Sequence, residues 1–146
     1  MIQSLFKSAA LFALISVFQA KADYSEPACT GQQIDQSVRG TYAFDERDLV
    51  LGEDSVTSGD GTRFKSWTCV KNGVLIWVLQ FQPDGHPDLE FESNAIAVSG
   101  DLLILLGEVV GDVVNPYDPG EEAPLSKEGV SWLMKSGSFE IVQKNK

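Results

Sequence analysis

The dipeptide Asn72-Gly73 lies between two runs rich in β-branched and aromatic residues, RFKSWTCVK and VLIWVLQFQ. Asn-Gly readily adopts the positive φ angles of a type I′ turn, which matches the twist of two antiparallel strands. The sequence therefore predicts a hairpin in which residues 63–71 pair with residues 74–82. Ser-Gly pairs at 99–100 and 136–137 separate further runs of the same kind. Three such hairpins in one short chain favour an all-β meander.

Alternation of apolar and polar residues predicts about eight strands in a single domain. Short connections between successive strands favour a closed barrel or a tight sandwich, since closure removes exposed strand edges. No helix is predicted beyond a short turn before residue 38. The predicted strands are 38–44, 48–56, 63–71, 74–82, 89–98, 102–110, 129–135 and 139–144.

The same alternation predicts which side chains face the interior. Residues 74–79 are apolar on both faces, so this strand is expected to be central or covered by a loop. Glu90 and Glu92 point away from Phe91, and we expect both glutamates to lie in water. The large side chains predicted to fill the interior are Trp67, Trp77, Phe81, Phe91, Trp132 and Phe139, joined by Val130, Met134 and Ile141.

Residues 1–22 have the layout of a cleaved secretory signal, with one early lysine, an apolar run and small residues ending at Ala22. The run of about ten apolar residues is too short to cross a membrane as a helix. We expect a mature chain with an N-terminal segment, 23–37, and one barrel domain, 38–146. The predicted location is periplasmic or extracellular, without membrane association.

The mature chain is strongly acidic. Removal of residues 1–22, which contain two lysines and no acid, changes the formal net charge from −10 to −12. This charge repels nucleic acid and anionic membranes and steers a cationic protein towards the surface. Solubility is the alternative role of the charge.

Two cysteines, Cys29 and Cys69, remain after processing. In an oxidising compartment the two are expected to form a disulfide. Closing a loop of this length stabilises a fold by about 3–4 kcal/mol in the chain-entropy model. The bond is expected to tether the segment 23–37 to the barrel.

The segment FQPDGHPDLEFE at residues 81–92 combines acids with His86, the only histidine of the chain. Pro83-Asp84-Gly85 is typical of a turn, because proline sets φ and glycine adopts a positive φ. A bound cation is the alternative, but the spacing of a calcium loop does not occur and zinc needs more nitrogen or sulfur ligands. The sequence therefore predicts a hairpin connection and no metal or cofactor. With one histidine and no Gly-x-Ser-x-Gly turn, we do not expect catalytic residues or an enzyme.

The segment 111–129 contains three prolines and carries a net charge of −4, so it is predicted to lack regular structure. Long loops in compact domains are often functional or disordered. Here an aromatic anchor surrounded by carboxylates would suit docking onto a basic cleft. The predicted partner-binding residues are Tyr117, Asp118, Glu121 and Glu122. A mobile, solvated loop is the alternative.

Gly40-Thr41-Tyr42 opens the first predicted strand, where lipocalin-like barrels often carry Gly-x-Trp. The chain thus resembles these barrels at the level of the fold, which implies a filled interior or a cavity for one small apolar ligand. Our leading hypothesis is an acidic binding protein that occludes a cationic protein, such as a cell-wall hydrolase or toxin. The alternatives are a carrier of a small apolar ligand and an accessory structural subunit.

Overall fold

A computed structural model describes residues 26–44, 47–117 and 120–145. Within these ranges one α-helix, α1, spans Lys127–Ser136, and one 3₁₀ turn spans Gln36–Val38. The strands are β1 (Gly40–Phe44), β2 (Arg47–Leu51), β3 (Ser55–Ser58), β4 (Arg63–Lys71), β5 (Val74–Phe81), β6 (Glu90–Ser99), β7 (Leu102–Val110), β8 (Val113–Asn115), β9 (Ala123–Pro124) and β10 (Glu140–Lys144).

The strands form one antiparallel sheet that closes into a barrel. Strands β1 to β9 are neighbours in chain order, and β10 pairs with both β1 and β7. Eight strands, β1–β7 and β10, therefore make the closed barrel, to which β8 and β9 are added. The predicted all-β barrel is confirmed, and closure through β10 excludes the sandwich.

Two of the three predicted hairpins are present. Asn72 and Gly73 have φ angles of 54° and 78° in the turn between β4 and β5. Gly100, with a φ of 60°, lies in the turn between β6 and β7. The third glycine, Gly137, instead ends the helix α1 with a φ of 76°.

The prediction of a strand at residues 129–135 is wrong, because this segment is part of α1. Ser126 caps the helix by accepting a hydrogen bond from the Gly129 N–H, and Gly137 ends it in the left-handed conformation. Leu133 is fully buried, whereas Trp132 and Met134 are 45% and 37% exposed. The buried positions of this segment, Gly129 and Leu133, are four residues apart, which is the spacing of one face of a helix.

Two other predicted boundaries are corrected. The single strand expected at 48–56 is divided into β2 and β3 by a turn in which the Gly52 N–H donates to the Ser55 carbonyl at 2.8 Å. The segment 111–129 was predicted to lack regular structure, but it contains β8, β9 and the start of α1. A hydrogen bond of 2.7 Å from the Leu125 N–H to the Asp112 carbonyl extends the pairing of β8 with β9.

The protein has two hydrophobic cores, one inside the barrel and one on its outer wall. The outer core lies between β4–β7 and the layer formed by β8, β9 and α1. Strand β5 contributes to both cores, which confirms that its two faces are buried. The fully or nearly fully buried residues of the inner core are Ile34, Val38, Tyr42, Leu49, Leu51, Val56, Trp77, Leu79, Ile96, Leu103, Leu105 and Val142.

Several large side chains predicted to fill the barrel belong to its outside. Trp67 and Phe91 pack edge to face in the outer core, with ring centroids 5.9 Å apart. Phe139 and Val130 also pack against the outer core. Exposed positions are occupied by Trp132, Met134 and Ile141. Of the six large aromatic residues predicted to fill the interior, only Trp77 and Phe81 lie on its face of the sheet.

The N-terminal segment closes one end of the barrel. Ile34 and Val38 are fully buried in the inner core, and the Ile34 N–H donates to the Glu53 carbonyl at 2.6 Å. The Tyr42 hydroxyl donates to the Val38 carbonyl at 2.7 Å, so the Gly-Thr-Tyr motif joins this plug to β1. We call this end the plugged end. The opposite end, where β5 ends at Phe81 and β6 begins at Glu90, we call the open end.

The predicted disulfide between Cys29 and Cys69 is present, with Cα atoms 6.3 Å apart. It fastens the segment to the outer face of β4, where the Trp67 indole N–H also donates to the Cys29 carbonyl at 3.0 Å. The predicted signal, residues 1–22, lies outside the described residues. No helix in the described ranges has the length and hydropathy needed to span a membrane.

Candidate binding site at the open end of the barrel

The strand register places glutamates of β6 on the inner face of the open end. Glu92 lies opposite Leu79, a residue of the inner core, and Glu90 lies opposite Phe81. Paired residues of antiparallel strands share a face. Glu90 and Glu92 therefore face the barrel interior, and both are partly exposed. The predicted alternation is correct, but the face is reversed because Phe91 packs outwards.

Two more glutamates share this face. Glu108 of β7 lies opposite Asn94, and Glu140 of β10 lies opposite Leu105 of the inner core. Both glutamates are partly exposed. The open end thus carries carboxylates from three neighbouring strands of the barrel wall, and we call this group the inner glutamates: Glu90, Glu92, Glu108 and Glu140.

Asn94 is more buried than the inner glutamates, with only 5% of its surface exposed. It is paired with Trp77 on one side and with Glu108 on the other. Its Oδ1 accepts a hydrogen bond from the Tyr117 hydroxyl, the one hydrogen bond that its side chain makes with the described residues. The Asn94 amide N–H₂ group is therefore a buried donor on the inner face of the barrel wall, level with Glu108.

Tyr117 reaches this position because the chain after β8 crosses over β7 at a glycine. The register between β6 and β7 shifts after Ala95, and a Cβ atom on Gly107 would lie 2.2 Å from the Asn115 carbonyl oxygen. Only glycine allows such a close approach. The crossing brings Tyr117 against the inner core, where it is half-buried.

The predicted partner-binding residues that the structure describes differ in their exposure. Tyr117 is held in the open end by Asn94, whereas Glu121 and Glu122 are exposed. Asp118 lies outside the described residues. The assignment of these four residues to partner binding remains a prediction.

Aromatic side chains accompany the glutamates at the open end. Phe44, at the end of β1, and Phe64, at the start of β4, pack against the inner core while remaining partly exposed. Phe81 is partly exposed at the end of β5, two residues beyond Leu79. The open end therefore offers an apolar surface next to negative charge.

A basic residue at this end is already matched by an acid. Arg47 approaches Asp60 with 3.8 Å between guanidinium nitrogen and carboxylate oxygen, and both side chains are well exposed. Hydrogen bonds from the Ser58 hydroxyl and the Thr62 N–H lower the pKa of Asp60 to about 2, with a smaller contribution from Arg47. Asp60 is therefore ionised at neutral pH, and it balances the charge of Arg47.

The connection between β5 and β6 is the predicted turn. The His86 N–H donates to the Pro83 carbonyl at 3.0 Å, and Gly85 has a φ of 71°. Residues 82–87 line an open surface cavity of about 510 Å³. In the described parts of the chain, no group of three or more His, Cys, Asp or Glu side chains is arranged to hold a metal ion.

No protein-family model, curated protein or solved structure matches this chain, so the candidate site rests on its geometry. Sequence reasoning missed Asn94, Glu108 and Glu140 as site residues. The spacing Glu90-x-Glu92-x-Asn94 was a usable signal, because it places three polar groups on one face of a strand. The position of Glu108 depends on the register shift, which has no clear signature in the sequence.

Proposed function

We propose that the protein is a secreted acidic binding protein that occludes a cationic protein, such as a cell-wall hydrolase or toxin. The observation that carries this proposal is the convergence of the four inner glutamates on the open end. Negative charge in a concave site with low-dielectric walls raises the local concentration of cationic partners and speeds their association. Exposed Asp84 and Asp88 on the adjoining connection add to this field.

Three lysines lie at the plugged end. Lys71 precedes the turn at the plugged end, and the side chain of Lys127 lies against Gly73 of that turn. Lys144 lies against Gly40, where β1 leaves the plug. Arg47, Arg63 and Lys65 lie at or near the open end, so the proposed attraction depends on the inner glutamates and not on the placement of the lysines. The disulfide is compatible with the oxidising compartment that this function requires.

Binding of a purified cationic lysozyme tests the proposal. Three double variants change the net charge equally: Glu92→Gln with Glu108→Gln at the open end, Glu121→Gln with Glu122→Gln in the loop, and Glu53→Gln with Asp101→Asn at the plugged end. Glu53 and Asp101 are exposed, and their carbonyls accept hydrogen bonds from Ile34 and Lys144 at that end.

We expect the open-end pair to weaken lysozyme binding about tenfold or more at low salt, because close charge pairs at interfaces carry large coupling energies. The control pair should weaken binding by less than about twofold, since distant exposed charges are screened. Rising salt should mainly slow association. Succinylated lysozyme, whose lysine charges are reversed, should not bind. Equal losses in the open-end and control pairs, or no lysozyme binding by the wild type, would overturn the proposal.

A further inference from the structure

Asn94 is the one buried polar residue of the barrel interior with an unused donor among the described residues. Ser66, also buried there, accepts from the Trp77 indole N–H at 2.6 Å and donates to the Val78 carbonyl at 2.7 Å. The Asn94 Oδ1 is bonded to Tyr117, but its N–H₂ group has no acceptor within the described ranges. A buried donor without an acceptor costs about 1–3 kcal/mol, so such a group is normally matched by a partner.

Carboxylates flank this donor on the same face. Glu108 lies directly across from Asn94, where paired Cβ atoms are about 5 Å apart. Glu92 is two residues away along β6, a distance of about 7 Å. A small ligand at this position would therefore contact the Asn94 donor with one group and the two glutamates with another group only a few bonds away.

These groups specify the chemistry of the ligand. An ammonium group would form ion pairs with the carboxylates of Glu92 and Glu108 whatever other contacts they make, but it cannot accept a hydrogen bond from Asn94. A carbonyl group bonded to the carbon that carries the ammonium group would supply an oxygen that accepts from Asn94. A free carboxylate at the same place would be repelled by Glu92 and Glu108. An apolar substituent would contact Tyr117 and Phe81.

We propose that the open end contains a site for an α-amino amide, in which the ammonium group binds Glu92 and Glu108 and the carbonyl oxygen accepts from Asn94. The occupant is either a free α-amino amide or the N-terminal residue of a peptide, since both present this pair of groups. This inference goes beyond the capture of a cationic protein and does not rest on it.

Tyr117 acts as a positioning residue for this site. Its hydroxyl donates to the Asn94 Oδ1, which leaves the N–H₂ group as the part of this amide that can bond to the ligand. Replacement by phenylalanine keeps the aromatic ring against the inner core but removes this orientation. The Asn94 amide can then present either end, so the selectivity for a carbonyl oxygen should fall.

Calorimetric titration of the full chain with leucinamide tests the proposal. N-acetyl-leucinamide lacks the positive charge, 3-methylbutylamine lacks the carbonyl group, and Leu-Gly-Gly-amide presents the same groups at the N-terminus of a peptide. We expect leucinamide to bind about tenfold more tightly than the first two probes, because each lacks one charged or buried hydrogen bond. Tighter binding of Leu-Gly-Gly-amide would assign the site to peptide N-termini, and weaker binding would assign it to free amides.

Variants separate the two contacts. Asn94→Ala should abolish the preference for leucinamide over 3-methylbutylamine, and Glu108→Gln should reduce the preference over the acetylated probe. Tyr117→Phe should reduce only the preference for leucinamide over 3-methylbutylamine. This variant tests the site independently if Asn94→Ala fails to fold. Ser66→Ala is the control, because Ser66 is buried in the interior without touching the proposed ligand.

Failure of the wild type to bind leucinamide or Leu-Gly-Gly-amide would overturn the proposal. Equal affinity for all four probes would do the same, as would unchanged selectivity in the Asn94→Ala, Glu108→Gln and Tyr117→Phe variants. Lysozyme binding is measured separately, so a negative result there leaves this site unaffected, and the reverse also holds.

Discussion

Gly107 and Asn115 approach so closely that a Cβ atom on Gly107 would lie 2.2 Å from the Asn115 carbonyl oxygen. The same Cβ would lie 2.9 Å from the Cα atom of Pro116, so the obstruction involves backbone on both residues. This contact lets the chain after β8 turn into the open end, where Tyr117 meets Asn94. The composition of the candidate site therefore depends on one residue without a side chain.

Substitution of Gly107 by alanine should destabilise the fold by about 1–3 kcal/mol or more, because backbone atoms must move to admit the methyl group. Gly52→Ala is the matched control, since a Cβ there would meet the Ser55 carbonyl at 3.4 Å, within an ordinary turn. The control should change stability by less than about 1 kcal/mol. Urea denaturation measures both. Equal midpoints for the two variants would contradict the close approach of the Asn115–Pro116 backbone to Gly107.

Leu133→Ala should cost about 2–5 kcal/mol, as expected for a fully buried leucine, whereas Trp132→Ala should cost less than about 1 kcal/mol. In a strand with the predicted alternation, the tryptophan would be the buried residue and the order of the effects would be reversed. Urea denaturation of the two variants thus distinguishes α1 from a strand with Trp132 on its inward face. A larger loss for Trp132→Ala would show that the helix is wrong.

Removal of the disulfide, by replacing Cys29 and Cys69 with serine, should lower the free energy of unfolding by about 3–4 kcal/mol for a separation of 40 residues. Amide hydrogen exchange should accelerate most at Ile34, because the plug is anchored through this bond. Denaturation of the oxidised wild type and the double variant measures the first effect. Unchanged stability would mean that the plug holds without its covalent tether.

Tyr42 should make the protein sensitive to alkaline pH. Burial, followed by the negative charge of Asp101, raises the pKa of Tyr42 above its ordinary value of 10.0. The folded state therefore holds the proton more tightly than the unfolded state. This contribution to stability is complete below pH 10 and is lost as the pH rises through the folded pKa.

Urea denaturation between about pH 8 and pH 11, a range that includes the ordinary tyrosine pKa, measures this loss of stability. Tyr42→Phe should be less stable than the wild type at pH 8, by about 1 kcal/mol for the lost hydrogen bond to Val38. Its stability should then fall less steeply above pH 10. Parallel pH profiles for the wild type and the variant would refute the role of Tyr42.

The local elements that sequence patterns predicted well are those decided by neighbouring residues. Asn72-Gly73 places β4 beside β5 because its turn geometry is local. The pairing of Cys29 with Cys69 was predicted because the chain has two cysteines and an oxidising compartment was expected. The helix α1 was missed because VSWLMK satisfies an alternating period over its short length, although Ser126 and Gly137 are typical caps.

The sequence by itself determined a mostly β chain, the alternation along most of its strands and the disulfide, because turn chemistry, alternation and cysteine number act over short distances or need no geometry. Only the tertiary structure decided which face is the interior, and so it reversed the expected roles of Phe91 and the neighbouring glutamates. The physical reason is that alternation has a period of two and is unchanged when the faces are exchanged. Closure of β10 onto β7 and the covering of one wall by α1 break that symmetry, and they bring Asn94, Glu108 and Tyr117 together.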